Sequence, residues 1–229
     1  YKFEYCDVYP NNAYPGFCRL VPKMYSLSPE GLKTSFEYDG RLNVTKTTIY
    51  PKTGTSPNLI TQANFLCVGT NTTICNLPSY TIDPRTYRTD YTYNSQGQVL
   101  TEMGPAVKVT PGGAMERPLK QYTYQSMYAY VKNASGTLVQ AATPVSMVVS
   151  EKICKTTVDE TNKVCQSSAD EIVTRYVYGQ AATKNTLLLR EKIVDYGTGD
   201  LNLRTCYVYD DSGNKIAETS PKGAISACP

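Results

Sequence analysis

Hydrophobic and polar residues alternate along much of the chain, which is the pattern of β-strands that bury one face. Residues 207–216 show it best, because Tyr207 and Tyr209 stand two apart and lie on one face of an extended chain. Asp210 and Gly213 follow as turn formers, since Asp bonds to its own backbone and Gly tolerates positive φ. The segment therefore predicts a β-hairpin with a tyrosine face.

No stretch of about eleven residues keeps a helical period, and Thr, Val, Tyr and Ile are abundant. We therefore predict an all-β fold of antiparallel hairpins, forming a twisted sheet, sandwich or partial barrel with disulfide-stapled loops. Residues 52–85 are dense in Pro and Gly and predict an insertion. Pro111-Gly112-Gly113 interrupts the pattern and predicts two regions, 1–110 and 111–229, unless both belong to one continuous domain.

The order of tyrosine pair, turn and second strand recurs in degenerate form. In one copy, Asn94 stands where the turn Asp is expected. In another copy, the turn at Asp39 is expected to be shortened, and a third copy keeps only the tyrosine pair. The segments resemble the Rhs/YD-repeat family, whose signature is Tyr-x-Tyr-Asp-x-x-Gly followed by a short strand. They are residues 36–51, 91–105, 128–144, 175–185 and 207–224.

The resemblance implies hairpins wound into a long β-sheet spiral. In the family's toxins this sheet forms a closed shell around a cargo, and in teneurin-like receptors it forms part of an extracellular barrel. Family toxins cleave themselves at an Asp-Pro-x-Gly motif. Residues 83–86 read Asp-Pro-Arg-Thr and lack the glycine, so the resemblance does not extend to that activity.

The chain has 8 cysteines and no histidine, which favours disulfides in an oxidising compartment over zinc ligation. The pattern leaves other connectivities, and free buried cysteines, open. Our prediction is neighbour pairing, and it is strongest for Cys154 and Cys165, because a hairpin loop at 158–161 sets them opposite each other. The predicted pairs are Cys6–Cys18, Cys67–Cys75, Cys154–Cys165 and Cys206–Cys228.

The absence of histidine excludes Ser-His-Asp and Cys-His mechanisms in their usual form. A glycosidase that uses only carboxylates is not excluded, since it needs two acids at a suitable separation. None of the candidate acids has a recognisable catalytic context, and we favour solvated strand or turn charges as their interpretation. They are Asp90, Glu102, Asp170, Glu171 and Asp195. Residues 210–214 lack the oxygen spacing of a calcium loop and predict a turn. We expect a non-enzymatic protein without cofactor or metal.

A net charge of +3 with scattered basic residues does not indicate a nucleic-acid partner, and no apolar run is long enough for a membrane span. Of the Asn-x-Ser/Thr sequons, Asn71 and Asn133 lie in predicted loops and are candidate glycosylation sites, whereas Asn43 lies in a predicted strand. The tyrosine pairs predict structural ladders between strands. A glycan-stacking face is the alternative.

A few YD-like hairpins leave open sheet edges, and an open edge must be covered or paired. We therefore expect a secreted or cell-surface structural protein that self-assembles as a filament subunit. Its partners are other copies of itself, and residues 1–8 are the candidate exchanged strand. The alternatives are a segment of an Rhs-type toxin shell or teneurin-like receptor, and a glycan-binding adhesin.

Overall fold

The structure, a computed structural model, describes residues 25–52, 56–67, 72–108, 112–154, 158–199, 201–219, 221 and 228. The predicted strand at residues 1–8, the Cys6–Cys18 pair and the sequon at Asn71 lie outside these residues. The described chain consists of antiparallel β-strands with short 3-10 turns at Thr72–Ile74 and Ser168–Asp170, which confirms the all-β prediction. No helix in the described part of the chain is long and apolar enough to cross a bilayer.

The chain divides into two compact units, Tyr1–Gln98 and Val99–Pro229. The predicted division after residue 110 stays a prediction, because residues 109–111 lie outside the described ranges. The strands of the first unit are β1 Tyr25–Leu27, β2 Lys33–Tyr38, β3 Val44–Tyr50, β4 Leu59–Phe65, β5 Pro78–Ile82 and β6 Arg88–Tyr93.

The first unit is a meander in which each strand pairs with the next one in the chain. Strand β4 pairs with β3 through Ile49 and Leu59, and with β5 through Gln62 and Ile82. Residues 52–85 are therefore not a loop throughout: they add the β4–β5 hairpin to the sheet. The Pro and Gly residues that suggested a loop flank these strands, and Pro78 stands at the first position of β5, where proline is tolerated.

The second unit has a sheet of seven strands in chain order, with small two-stranded hairpins between some of them. The sheet strands are β7 Val99–Met103, β10 Leu119–Met127, β13 Val145–Cys154, β16 Glu171–Tyr178, β17 Leu189–Tyr196, β18 Leu203–Tyr209 and β19 Lys215–Glu218. The side hairpins are β8 Val107–Lys108 with β9 Met115–Glu116, β11 Tyr130–Lys132 with β12 Leu138–Gln140, and β14 Val158–Asp159 with β15 Val164–Cys165.

The apolar core of the second unit lies at one end of its sheet. Met103, Leu119 and Cys154 are directly opposite one another on β7, β10 and β13, and all three are 0% exposed. Val158 and Cys165 of the β14–β15 hairpin pack against them. A short side hairpin thus supplies the apolar cover that the open sheet lacks at this point.

Candidate functional site

The repeated feature of both units is a turn that starts with Asp or Asn. The side-chain Oδ1 of this first residue accepts hydrogen bonds from the backbone N–H groups two and four residues further on, at 2.8–3.1 Å. One short side chain therefore organises the whole turn, as expected of Asx turns. We call these the Asx turns; they begin at Asp39, Asp83, Asn94, Asn133 and Asp210.

The residue three positions after the turn start adopts a left-handed backbone conformation. It is glycine at Gly97, Gly136 and Gly213, with φ of 80–86°. Leu42 and Thr86 occupy the same place with φ of 67° and 69°. The sequence suggested a shortened turn at Asp39. The turn has the full length instead, because Leu42 takes the glycine position.

The Asp83 turn was missed because it lacks glycine. Asp83 at the first position and Pro84 at the second are both type I turn signals and could have identified it. Thr86 completes the turn at a conformational cost, since side chains disfavour the left-handed region.

The second tyrosine of several pairs lies across the neighbouring strand. The hydroxyl groups of Tyr93, Tyr124 and Tyr178 donate to the backbone carbonyls of Pro78, Val99 and Val148 at 2.8–2.9 Å. Each ring is half-buried, and burial raises the pKa of each phenol. These tyrosines therefore tie one strand to the next, which is the structural ladder expected from the sequence.

The first tyrosines of two pairs in the second unit, Tyr122 and Tyr176, lie beside Glu151. Tyr122 is directly opposite Glu151 on β10 and β13, and the Tyr176 hydroxyl donates to Glu151 Oε2 at 3.3 Å. Burial and the nearby carboxylates of Glu151 and Glu102 raise the pKa of Tyr122 to about 12. Burial and Glu151 also raise the pKa of Tyr176. Both phenols therefore keep their protons at neutral pH, and the Tyr176 hydroxyl uses its proton to donate to the Glu151 carboxylate.

Basic side chains stack on other tyrosines of the sheets. The Arg88 guanidinium lies 4.0 Å from the ring centroid of Tyr80, and the Lys33 ammonium lies between Tyr25 and Tyr50 at 5.5 and 5.3 Å. Such cation–π contacts stabilise exposed sites by about 0.5–1 kcal/mol each. They strengthen the first unit on its solvent-facing surface.

The structure gives the candidate acids separate structural partners. Asp90 accepts from Arg88, Glu102 pairs with Lys120 at 3.5 Å, and Asp170 lies in the 3-10 turn before β16. Asp170 and Glu171 are neighbours in the chain, and Glu171 and Asp195 are neighbours across a strand pair. The latter two lie on adjacent strands, two positions apart on one face of the sheet, since Asp195 pairs with Val173.

Asp195 is 2% exposed and holds the turn after β17. Burial opposes ionisation of its carboxyl, but backbone N–H groups of Asn202, Leu201 and Tyr196 and the charge of Arg175 outweigh burial and lower its pKa. Its Oδ1 accepts hydrogen bonds from the backbone N–H groups of Leu201 and Asn202 at 2.8 and 3.1 Å. Glu171, 9% exposed, pairs with Lys152 at 3.1 Å. The geometry therefore assigns Asp195 to turn formation.

Asp210 uses both carboxylate oxygens inside its own turn. Oδ1 accepts from the Ser212 and Asn214 backbone, and Oδ2 accepts from Asn214 Nδ2 at 2.9 Å. These bonds favour the turn interpretation over calcium binding. Within the described ranges, no group of three or more Cys, Asp or Glu side chains is arranged to hold a metal ion.

Disulfides fasten loops beside the Asx turns and the core. They join Cys67 to Cys75, Cys154 to Cys165 and Cys206 to Cys228, and no described cysteine is free. The Cys75 carbonyl accepts a hydrogen bond from Asn43 Nδ2 at 3.2 Å, so the first bond fixes a loop against the Asp39 turn. The chain is thus disulfide-rich as well as all-β.

Comparisons with known proteins add little to this geometry. No protein-family model and no curated protein matches the chain. A crystal structure of TcdB2-TccC3-TEV matches with a TM-score of 0.28 and 10% identity, over 84% of this chain and 12% of that chain. The chain thus spans about an eighth of the length of that structure. A TM-score this low carries no argument, so the Rhs/YD-repeat resemblance rests on the sequence segments alone.

Proposed function

We propose that this chain is a non-enzymatic structural protein of a secreted or surface-exposed assembly, in which its sheet is continued by further strands. The observation that carries the proposal is the meander itself. Every sheet strand within each unit pairs with its neighbours in chain order, and hairpins of one kind add to one another. Such a meander leaves hydrogen-bonding edges at which further strands can pair.

The outermost strands support this proposal. Among the described residues, β1 pairs only with β2, and β19 pairs only with β18. Their apolar side chains are open to solvent, with Leu27 43% and Ile216 64% exposed. Sheets in stable proteins cover or pair such margins. Disulfides favour an oxidising, extracellular setting for the assembly.

The further strands have two sources: additional YD-like hairpins of a longer Rhs-type sheet, or other copies of this chain. The uniform Asx turns favour the first source. Strand β19 favours it as well, because the Lys215–Glu218 pair and a bulge at Ile216 hinder a copy from pairing there. The uncharged β1 strand, Tyr25–Leu27, favours the second source and a filament subunit.

Sedimentation velocity combined with negative-stain microscopy of native material tests the proposal. Closed hollow particles support a shell wall, and long filaments that lengthen with concentration support self-assembly. Compact monomers with every amide of β1 and β19 protected from hydrogen exchange would refute both, because the edges would then already be covered.

A glycan-binding role is the second candidate, and the tyrosine rows favour it. Tyr122, Tyr176 and Tyr207 lie on alternate strands, and alternate strands of a sheet are about 10 Å apart. Carboxylates such as Glu151 lie between them. Saturable binding on a glycan array that is lost in Tyr176→Ala but kept in Tyr176→Phe would support this role. Absence of binding by the disulfide-bonded protein would refute it.

A further inference from the structure

The described sequon asparagines differ in whether their side-chain nitrogen is free. Asparagine-linked glycosylation forms its bond at Nδ2, so a glycan replaces one of the two amide protons there. Asn43 uses both protons: its Nδ2 donates to Asp39 Oδ2 at 2.9 Å and to the Cys75 carbonyl at 3.2 Å. A glycan at Asn43 would remove one of these bonds in a half-buried position beside a disulfide-closed loop.

Asn133 makes its structural contacts with the other side-chain atom. Its Oδ1 accepts from the backbone N–H groups of Ser135 at 3.1 Å and Thr137 at 2.9 Å, and from the Ser135 hydroxyl at 2.7 Å. Its Nδ2 donates to no residue that the structure describes. The whole turn from residue 131 to residue 137 is exposed. Substitution at Nδ2 therefore leaves every hydrogen bond of the turn in place.

Asn94 is the matched comparison, because it starts an Asx turn of the same geometry. Its Nδ2 donates to Gln98 Oε1 at 2.8 Å, and its own triplet, Asn94-Ser95-Gln96, has no hydroxyl residue at the third position. Asn43 has a sequon but both of its amide protons are used, and Asn94 has no sequon. Of the three, Asn133 alone combines a sequon, an exposed turn and an amide nitrogen that donates to no described residue.

We propose that Asn133 is an acceptor site for asparagine-linked glycosylation. In the transfer step, Nδ2 forms a bond to the anomeric carbon of a lipid-pyrophosphate-linked oligosaccharide. The bond from that carbon to the pyrophosphate oxygen breaks, the lipid pyrophosphate leaves as the anion, and a base of the transferase takes the amide proton. Asn43 is not an acceptor in the finished fold.

The position of this turn suits a sheet that is extended at its edges. The β11–β12 hairpin connects β10 to β13, and both of these strands have sheet neighbours on either side. A glycan at its tip therefore lies away from the margin at β19. The inference does not depend on strand pairing between copies, so its failure would leave the proposed structural role untouched.

Secretion of the full chain from a cell line that glycosylates asparagine, followed by site-resolved peptide mapping, tests the proposal. Peptides are compared with and without peptide N-glycosidase in heavy-oxygen water, which marks each formerly occupied asparagine. The expected result is occupancy at Asn133 and none at Asn43. An unmodified Asn133 in the secreted, disulfide-bonded protein, or comparable occupancy at Asn43, would overturn it.

Two variants separate the glycan from the turn. Ser135→Ala removes the sequon but keeps both backbone bonds to Asn133 Oδ1. Asn133→Asp removes the acceptor nitrogen, and Asp210 shows that Asp forms the same turn. Both variants should lose the glycan at this site. After enzymatic deglycosylation, each variant should have the same melting temperature as the wild type treated in the same way. Retention of the mass shift in both variants would contradict the assignment.

Discussion

The two units are built from the same hairpins but are stabilised in different ways. Among the described residues of the first unit, only Thr48 and Cys75 are buried, and its strands are held by Asx turns, tyrosine hydroxyls and cation–π contacts. The second unit buries Met103, Leu119 and Cys154 under a side hairpin and also encloses the Arg204–Glu191 ion pair. The difference teaches that one side hairpin, β14–β15, covers an apolar cluster that the repeated hairpins alone do not cover.

The sharpest test of this comparison removes apolar volume from each unit. Leu119→Ala in the second unit should lower the free energy of unfolding by about 2–5 kcal/mol, since it leaves a cavity among fully buried neighbours. Leu59→Ala in the first unit, where the side chain is 48% exposed, should cost about 1 kcal/mol or less. Urea unfolding of both variants measures the two effects. Equal losses would mean that the first unit also depends on an apolar core.

The tyrosine hydroxyls should contribute equally to both units, because the bonds have the same geometry. Tyr93→Phe in the first unit and Tyr124→Phe in the second each remove a hydroxyl that donates to a backbone carbonyl. Each should destabilise by about 1 kcal/mol. The control is Tyr122→Phe, whose hydroxyl has no partner within the described ranges and whose loss should matter less. A much larger loss of stability in one unit, measured by denaturant unfolding, would show that the hydroxyls do not contribute equally to both units.

The first unit should gain stability where its turns lack glycine. Thr86→Gly relieves a β-branched residue at φ 69° and should stabilise by up to about 1 kcal/mol, after the extra freedom of glycine in the unfolded chain is subtracted. The reverse change, Gly97→Ala, should destabilise, because a Cβ there would lie 3.2 Å from Thr73 and 3.3 Å from Leu77. Thermal unfolding measures both, and a lower melting temperature for Thr86→Gly would contradict the strain.

The loss of stability at low pH should depend on the Asx turns that start with Asp. This should be the smallest of the predicted effects. The side-chain hydrogen bond from Asn43, opposed by desolvation and supported by backbone N–H groups, lowers the pKa of Asp39. Hydrogen bonds from Asn214 likewise lower the pKa of Asp210. A pKa below the unfolded value means that the stability is present at neutral pH and is lost as the pH falls through the folded pKa.

Asp39→Asn and Asp210→Asn should therefore flatten the decline of stability in the acidic range while leaving the fold unchanged. Asn94 shows that Asn forms the same turn. Stability measured against pH for each variant and the wild type checks the sign. A variant whose stability falls as steeply as the wild type's would show that other carboxylates govern acid unfolding.

Local patterns in the sequence predicted the parts of this molecule that local contacts form. The alternation of Tyr207 and Tyr209 and the turn at Asp210 predicted the β18–β19 hairpin, because neighbouring residues make its bonds. The sheet position of β4 was missed, since its pairing with β3 depends on distant residues and the flanking prolines resemble a loop. The ion-pair partners of Glu171 and Asp195 were missed for the same reason, because strand register brings each acid to its partner.

Three tyrosine pairs of the second unit stand on β10, β16 and β18, which run in the same direction because one antiparallel strand separates each from the next. Gain or loss of a single strand would send the following pair, and the turn after it, to the opposite end of the sheet. During evolution, viable length changes in such a protein should therefore come in even numbers of strands. Engineers who wish to lengthen it should duplicate whole hairpins.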